Sequence, residues 1–159
     1  MKGTTHLIGG LTAAVVFESQ FSVTINEPII FYSSALIGAI IPDICHPKSM
    51  IGRRLPILSK MFSSVFGHRS FSHSLLFLFF VYFLTDQLVF SFADELQLGL
   101  LLGIGSHIIL DAITPQGVKL FYPIKMNVRT PIYVKTGSVI GESVVTICLG
   151  GVLVLYLFS

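Results

Sequence analysis

Seven side chains in this sequence have the chemistry to hold a metal ion or move a proton: His6, Asp43, His68, His73, His107, Asp111 and Glu142. The stretch 103–117, GIGSHIILDAITPQG, is the most informative, because it closes an apolar run that begins near Leu96. It carries His107 and Asp111 at spacing i, i+4, so both side chains project from one helix face. An Asp at mid-bilayer costs about 2.5–3.5 kcal/mol on insertion scales. A bound metal ion would offset that cost. Placement in the headgroup layer, with the pair bonded to each other or to backbone carbonyls, would offset it equally well.

His68 and His73, in GHRSFSHS, are five residues apart and do not share a helix face. That spacing puts His68 in a loop and His73 on the first turn of a helix, with Ser72 as its N-cap. Imidazole nitrogen and carboxylate oxygen are ligands of zinc, and they also suit iron, manganese or nickel. A mononuclear catalytic zinc takes three protein ligands and keeps one position open. Seven groups exceed that need. Either two ions are bound, or the surplus serves as general base and as carboxylates that orient the histidines. No HExxH is present, so the helical zinc-protease arrangement is excluded. A Ser–His pair drawn from Ser72, Ser74 or Ser106 ranks well below metal chemistry, since adjacency in sequence does not make a triad. His46 reads as an interfacial polar residue. Cys45 and Cys148 lack CxxC spacing and read as small apolar fillers, with Cys45 a further soft-ligand candidate between Asp43 and His46.

The elements that must position these groups are membrane helices. Of 159 residues 53% are hydrophobic and only 11% charged, against roughly 25% charged in ordinary soluble domains. Mean hydropathy is +0.84. The expectation is one integral-membrane domain over residues 1–159, an all-α polytopic bundle of about five transmembrane helices. Apolar runs cover residues 6–17 (extendable to Ile25), 28–44, 74–92, 96–113 and 139–158. The first is marginal, because a hydrocarbon core of about 30 Å needs ~20 helical residues.

With five spans, the N-terminus, residues 45–71 and residues 114–137 share one side of the membrane. All ten Lys and Arg residues fall there, whereas Glu18, Glu27, Asp86, Asp94 and Glu95 occupy the opposite connections. The positive-inside rule makes the basic side cytosolic, N-terminus included. Every span then brings an imidazole or carboxylate to that one end of the bundle.

The order of these residues carries a resemblance. Thr5-His6 is followed by Pro42-Asp43, His68-Arg69, Ser72-His73-Ser74, Gly105-x-His107-x3-Asp111-x2-Thr114-x2-Gly117 and a later Pro123. From Thr5 to Pro123 the pattern resembles the YdjM-like family of LexA-regulated, inner-membrane metal-dependent hydrolases. It departs from that family in having Ser72-His73-Ser74 where Thr-His-Ser is frequent. The resemblance implies a multi-span helical protein whose His6, Asp43, His68, His73, His107 and Asp111 form a metal site. It leaves the substrate open, and Glu142 is added by topology alone.

The expected function is metal-dependent hydrolysis, with one or two divalent ions and zinc foremost, of a phosphate ester or related bond in a membrane lipid at the cytosolic face. Glu142 or Asp43 would take the proton of the attacking water. Arg69, placed between a candidate ligand and the third span, would steady phosphate charge. Anionic lipid headgroups are expected partners of the other juxtamembrane basic residues. Nucleic acid is not, since no recognition motif appears. Two other classes remain: a non-catalytic regulator or scaffold with a structural ion or none, and an ion or proton carrier. The carrier is the weaker, because the far halves of the spans are nearly all apolar.

Overall fold

The computed structural model describes residues 1–66, 71–124, 126–131 and 133–158. Within them the chain forms α1 (Gly3–Phe21), α2 (Pro28–Gly38), a 3-10 turn (Ile41–Cys45), α3 (Pro56–Phe66), α4 (Leu75–Asp86), α5 (Ala93–Ala112) and α6 (Val139–Leu157). No described residue lies in a β-strand, and a single bridge pairs Val118 with Val128. The expected all-helical bundle is present.

Local chemistry sets the helix ends. Pro28 opens α2 at a position where its missing N–H matters least. Pro42 prevents α2 from continuing as a regular helix, and the chain tightens into the 3-10 turn. Ser138 caps α6 by accepting from Gly141 N at 3.2 Å. Ser74 caps α4 by accepting from Phe77 N at 3.3 Å. The cap is therefore Ser74 and not the expected Ser72, whose hydroxyl is engaged elsewhere.

Among the described residues, three segments are long and apolar enough to cross a membrane: Pro28–Cys45, Ala93–Ala112 and Val139–Leu157. Of the other two expected spans, α4 is apolar but has only 12 residues, about 18 Å at 1.5 Å per residue. Helix α1 has 19 residues but includes Thr4, Thr5, Thr12, Glu18, Ser19 and Gln20.

Helix α5 is the centre, with α1, α2 and α4 packed around it and α6 packed on α1. The α2–α5 seam is made of small residues. A methyl at Gly38 would strike the Leu100 carbonyl, one at Gly99 would strike Ser34 Oγ and the Phe31 carbonyl, and one at Gly103 would strike the Ala35 carbonyl. Such residues let membrane helices approach to backbone contact. Two apolar clusters flank the seam, one on Ala14, Phe31 and Ala35, the other on Phe77, Ile104, Ile108 and Val118. The segment after α5 folds back over its end: Thr130 N donates to the Ala112 carbonyl (3.1 Å) and Val134 N to the Ile113 carbonyl (2.8 Å). Gly117 makes this return with φ +62°, and a side chain there would also meet the Val128 carbonyl.

Candidate metal centre

Four separate segments deliver five side chains to one end of the bundle. His6 comes from the first turns of α1, which can sit close because Gly10 faces the Ala35 carbonyl and Ala39 Cβ. Asp43 lies in the 3-10 turn, and His73 stands just ahead of α4. His107 and Asp111 come from the last turns of α5.

The donor atoms converge. His107 Nε2 is 3.2 Å from His73 Nε2. His6 Nε2 is 3.4 Å from Asp111 Oδ1, and His73 Nε2 is 3.4 Å from Asp111 Oδ2. Asp43 Oδ1 stands 3.9 Å from both His73 Nε2 and His107 Nε2. Two triads follow among the described residues, His6–His107–Asp111 and Asp43–His73–His107, each with its donor atoms within 4.8 Å of one another. His107 belongs to both. Bonds of about 2.0–2.1 Å in a tetrahedron put donors roughly 3.3–3.4 Å apart, close to the shorter separations here.

The outer contacts orient the rings. His107 Nδ1 is 2.7 Å from the Ala39 carbonyl, which can only accept, so Nδ1 carries the proton. In the neutral ring Nε2 then presents its lone pair to the cluster, the arrangement that a carbonyl bonded to Nδ1–H imposes on a metal-binding histidine. His73 Nδ1 meets Ser72 Oγ at 2.9 Å, and that hydroxyl also lies 3.1 Å from Cys45 Sγ. Thr114 Oγ1 donates to the Asp111 carbonyl at 2.7 Å and secures the end of α5. The His6 and His107 rings stack at 3.8 Å with planes 16° apart.

His6 offers the sharpest observation. Its side chain is 1% exposed, and neither ring nitrogen makes a hydrogen bond among the described residues. Buried polar atoms are almost always satisfied, so an imidazole left in this state beside a carboxylate and a second imidazole fits a metal ligand. The negative charge of Asp111 is met by the Met1 ammonium at 3.1 Å. Burial pushes the His73 imidazole down, but the Asp111 carboxylate and Cys45 outweigh it, and its pKa rises to about 9.

Of the sequence-derived candidates, the structure brings together His6, Asp43, His73, His107 and Asp111. Glu142 is elsewhere: Oε1 accepts from Gly137 N at 2.7 Å and Oε2 from Lys2 N at 3.2 Å. It fastens the start of α6 to the start of α1 and joins neither triad. His68 and Arg69 lie outside the described residues. The parts that sequence missed are the Ala39 carbonyl, which leaves no residue-type signal, and Ser72 beside His73. The Ser-His adjacency signals the second, although in sequence it reads equally as a helix cap.

The fold and this cluster define a helical membrane protein with three imidazoles and two carboxylates gathered at one end of its bundle, able to hold a metal ion. The family model described as YdjM inner membrane protein matches residues 1–158, and the chain belongs to that family. It is 45% identical over 138 residues to a Bacillus subtilis (strain 168) protein described as the uncharacterized protein YvsG, covering 87% of this chain and 83% of that one. It is also 45% identical over 105 residues to the inner membrane protein YdjM of Escherichia coli (strain K12) and of Shigella flexneri. Those matches cover 64% of this chain and 53% of each relative, so they span about half the length of the YdjM proteins. No solved structure matches the chain.

Proposed function

We propose that this chain is a membrane-embedded, metal-dependent hydrolase that acts at the cytosolic membrane face on a phosphate ester or related bond of a lipid. The supporting observation is the convergence of five donors from four segments on a point where His6 is otherwise left without a hydrogen bond. His6, His107 and Asp111 would hold one ion, and Asp43 and His73 the second ion or the open side of the first. A divalent ion bound there, zinc foremost, would lower the pKa of a bound water to about 7 and polarise the scissile group.

The protein's own groups supply the rest. Asp43 is 16% exposed while the His6, His73, His107 and Asp111 side chains are at most 1% exposed. It is therefore the member of the cluster that an incoming water meets first, and where it does not itself hold an ion it would take that water's proton. Ala39 and Ser72 hold the imidazoles in register, and the packed ends of α1, α2 and α5 keep bulk water away from the inner face. One observation favours a non-catalytic regulator or scaffold instead: a cluster buried this deeply also suits a closed, structural ion.

Protein purified without added metal and without a His tag should carry about one or two equivalents of a divalent ion. It should hydrolyse a component of a total lipid extract, read as released phosphate from a monoester or released phosphorylated headgroup or alcohol from a diester, and a chelator should stop that release. Turnover undiminished by metal removal would refute the hydrolase proposal, and stoichiometric metal without turnover on any lipid extract would assign the structural role. Because His73 is pushed up to about 9, an ion must displace its proton. Retention should therefore tighten by about tenfold per pH unit between roughly pH 6 and 9 and then level off. A metal-competition titration at several pH values reads this directly, and a flat profile would exclude His73 as a ligand.

A further inference from the structure

Outside the buried cluster, a cavity of about 420 Å³ opens against Asp43, within the ~300–1,000 Å³ range of small-molecule sites. Its walls come from three places in the chain: Lys2 and Thr4 at the start of α1, Lys48 and Arg53 between the 3-10 turn and α3, and Thr136 ahead of α6. Among the described residues, no carboxylate forms an ion pair with Lys2, Lys48 or Arg53. Three cations around one carboxylate make a net positive recess whose floor is a member of the candidate metal centre.

The loop that carries two of those cations is firmly built. Ser49, 8% exposed, donates through Oγ to the Asp43 carbonyl at 2.8 Å and accepts from Gly52 N at 2.9 Å. Ser49 N donates to the His46 carbonyl at 2.9 Å, and Arg53 N to the Ser49 carbonyl at 3.2 Å. A side chain at Gly52 would collide with the His46 carbonyl. Lys48 and Arg53 are thus tied through Ser49 to the same turn that presents Asp43. A loop needed only to orient the protein at a charged membrane surface would not have to be bonded to the backbone of the residue that carries one of the cluster's carboxylates.

We propose that this cavity is an anion-binding vestibule in which Lys2, Lys48 and Arg53 take a phosphate group and set it against Asp43. The assignment rests on the hydrolase proposal for its purpose, but not for the binding itself. An Arg with two Lys matches a phosphate bearing one or two charges, since guanidinium pairs with phosphate oxygens in a planar fork and ammonium acts as a point charge. The positive end of the α1 dipole adds to the same field. A phosphate on a lipid headgroup and a water-soluble phosphate offer the same chemistry.

The test uses the full-length, metal-loaded protein and two probes. Inorganic phosphate is followed by calorimetry, and phosphatidic acid against phosphatidylcholine by native mass spectrometry from detergent. The double variant Lys48→Gln/Arg53→Gln should bind either probe at least about tenfold more weakly, with metal content and melting temperature equal to the parent's. Arg54→Gln/Lys135→Gln removes the same charge outside the cavity lining and should stay within about twofold. Retention of inorganic phosphate marks a soluble phosphate site, and retention of phosphatidic acid alone marks a headgroup site; both support the vestibule. Unchanged binding in Lys48→Gln/Arg53→Gln, an equal loss in the control pair, or no retention of either probe by the parent overturns it. Phosphate held through Lys48 and Arg53 by a metal-loaded parent that turns over no lipid in a total extract would sink the hydrolase proposal and leave the vestibule standing.

Discussion

Alanine at His107 is expected to reduce bound divalent metal to less than about a tenth of the parental content, and with it any metal-dependent turnover of the kind proposed above. His107 is the one residue common to both donor triads, so its loss removes a ligand from whichever ion is bound. The Ala39 carbonyl would also lose its Nδ1–H partner, and an unsatisfied buried acceptor costs about 1–3 kcal/mol. Stability must therefore be followed alongside metal. Asp111→Asn separates the two effects, because it keeps the side-chain shape while replacing the charge and one acceptor oxygen with a neutral amide. It should lose metal to a similar degree and leave the Ala39–His107 bond in place. Ser106→Ala, one position away on α5, gives up only a hydroxyl bond to the Gly103 carbonyl and should retain parental metal. Parental metal in both His107→Ala and Asp111→Asn would end the idea of a metal centre at this end of the bundle.

The helices and the convergence of their ends were legible in the sequence for a simple reason. In a chain so poor in charge, each imidazole and carboxylate is a conspicuous mark on an apolar run, and the expected alternating topology would send the marks to one end. The i, i+4 spacing of His107 and Asp111 fixed their common face, and the structure places them there. Topology alone could not say how far into the bundle each mark reaches. Glu142 starts α6 at the same end as the others, yet α6 packs on α1 rather than on α5. Its carboxylate is taken by the Lys2 and Gly137 amides. Hydropathy likewise saw an apolar run over residues 74–92, but the chain forms turns after Asp86 and the helix stays short.

Backbone partners were the other illegible part. Nothing in the residue type of Ala39 announces that its carbonyl sets the tautomer of His107. What does show in sequence is the cause of the approach, the glycines at 38, 99 and 103. Their spacing becomes meaningful only once α2 and α5 are known to be neighbours. The same holds for Lys48 and Arg53, which read as ordinary juxtamembrane cations until Ser49 is seen to tie their loop to Asp43.

The close α2–α5 contact leads to the second large effect, a loss of metal by a substitution that touches no ligand. Gly103→Ala would place a methyl against the Ala35 carbonyl and 2.7 Å from Ala39 N. Both are backbone atoms, so α2 and α5 must separate. Overpacking of this kind costs about 1–3 kcal/mol. Ala39 is the residue whose carbonyl orients His107, and moving α2 outward lengthens that 2.7 Å bond and frees the ring. Gly103→Ala is therefore expected both to lower the melting temperature and to weaken metal retention by about tenfold or more, as losing the group that hydrogen-bonds a ligand's far nitrogen does. Gly105→Ala is the matched control on the same helix. A methyl there meets nothing within 4 Å, and replacing a mid-helix glycine should leave stability equal or raise it by about 0.5–1 kcal/mol. Thermal melts in detergent and elemental analysis of the two variants decide the matter. If Gly103→Ala melts and holds metal like Gly105→Ala, helix α2 is not pressed against α5 at Ala39, and the orientation of His107 must come from elsewhere.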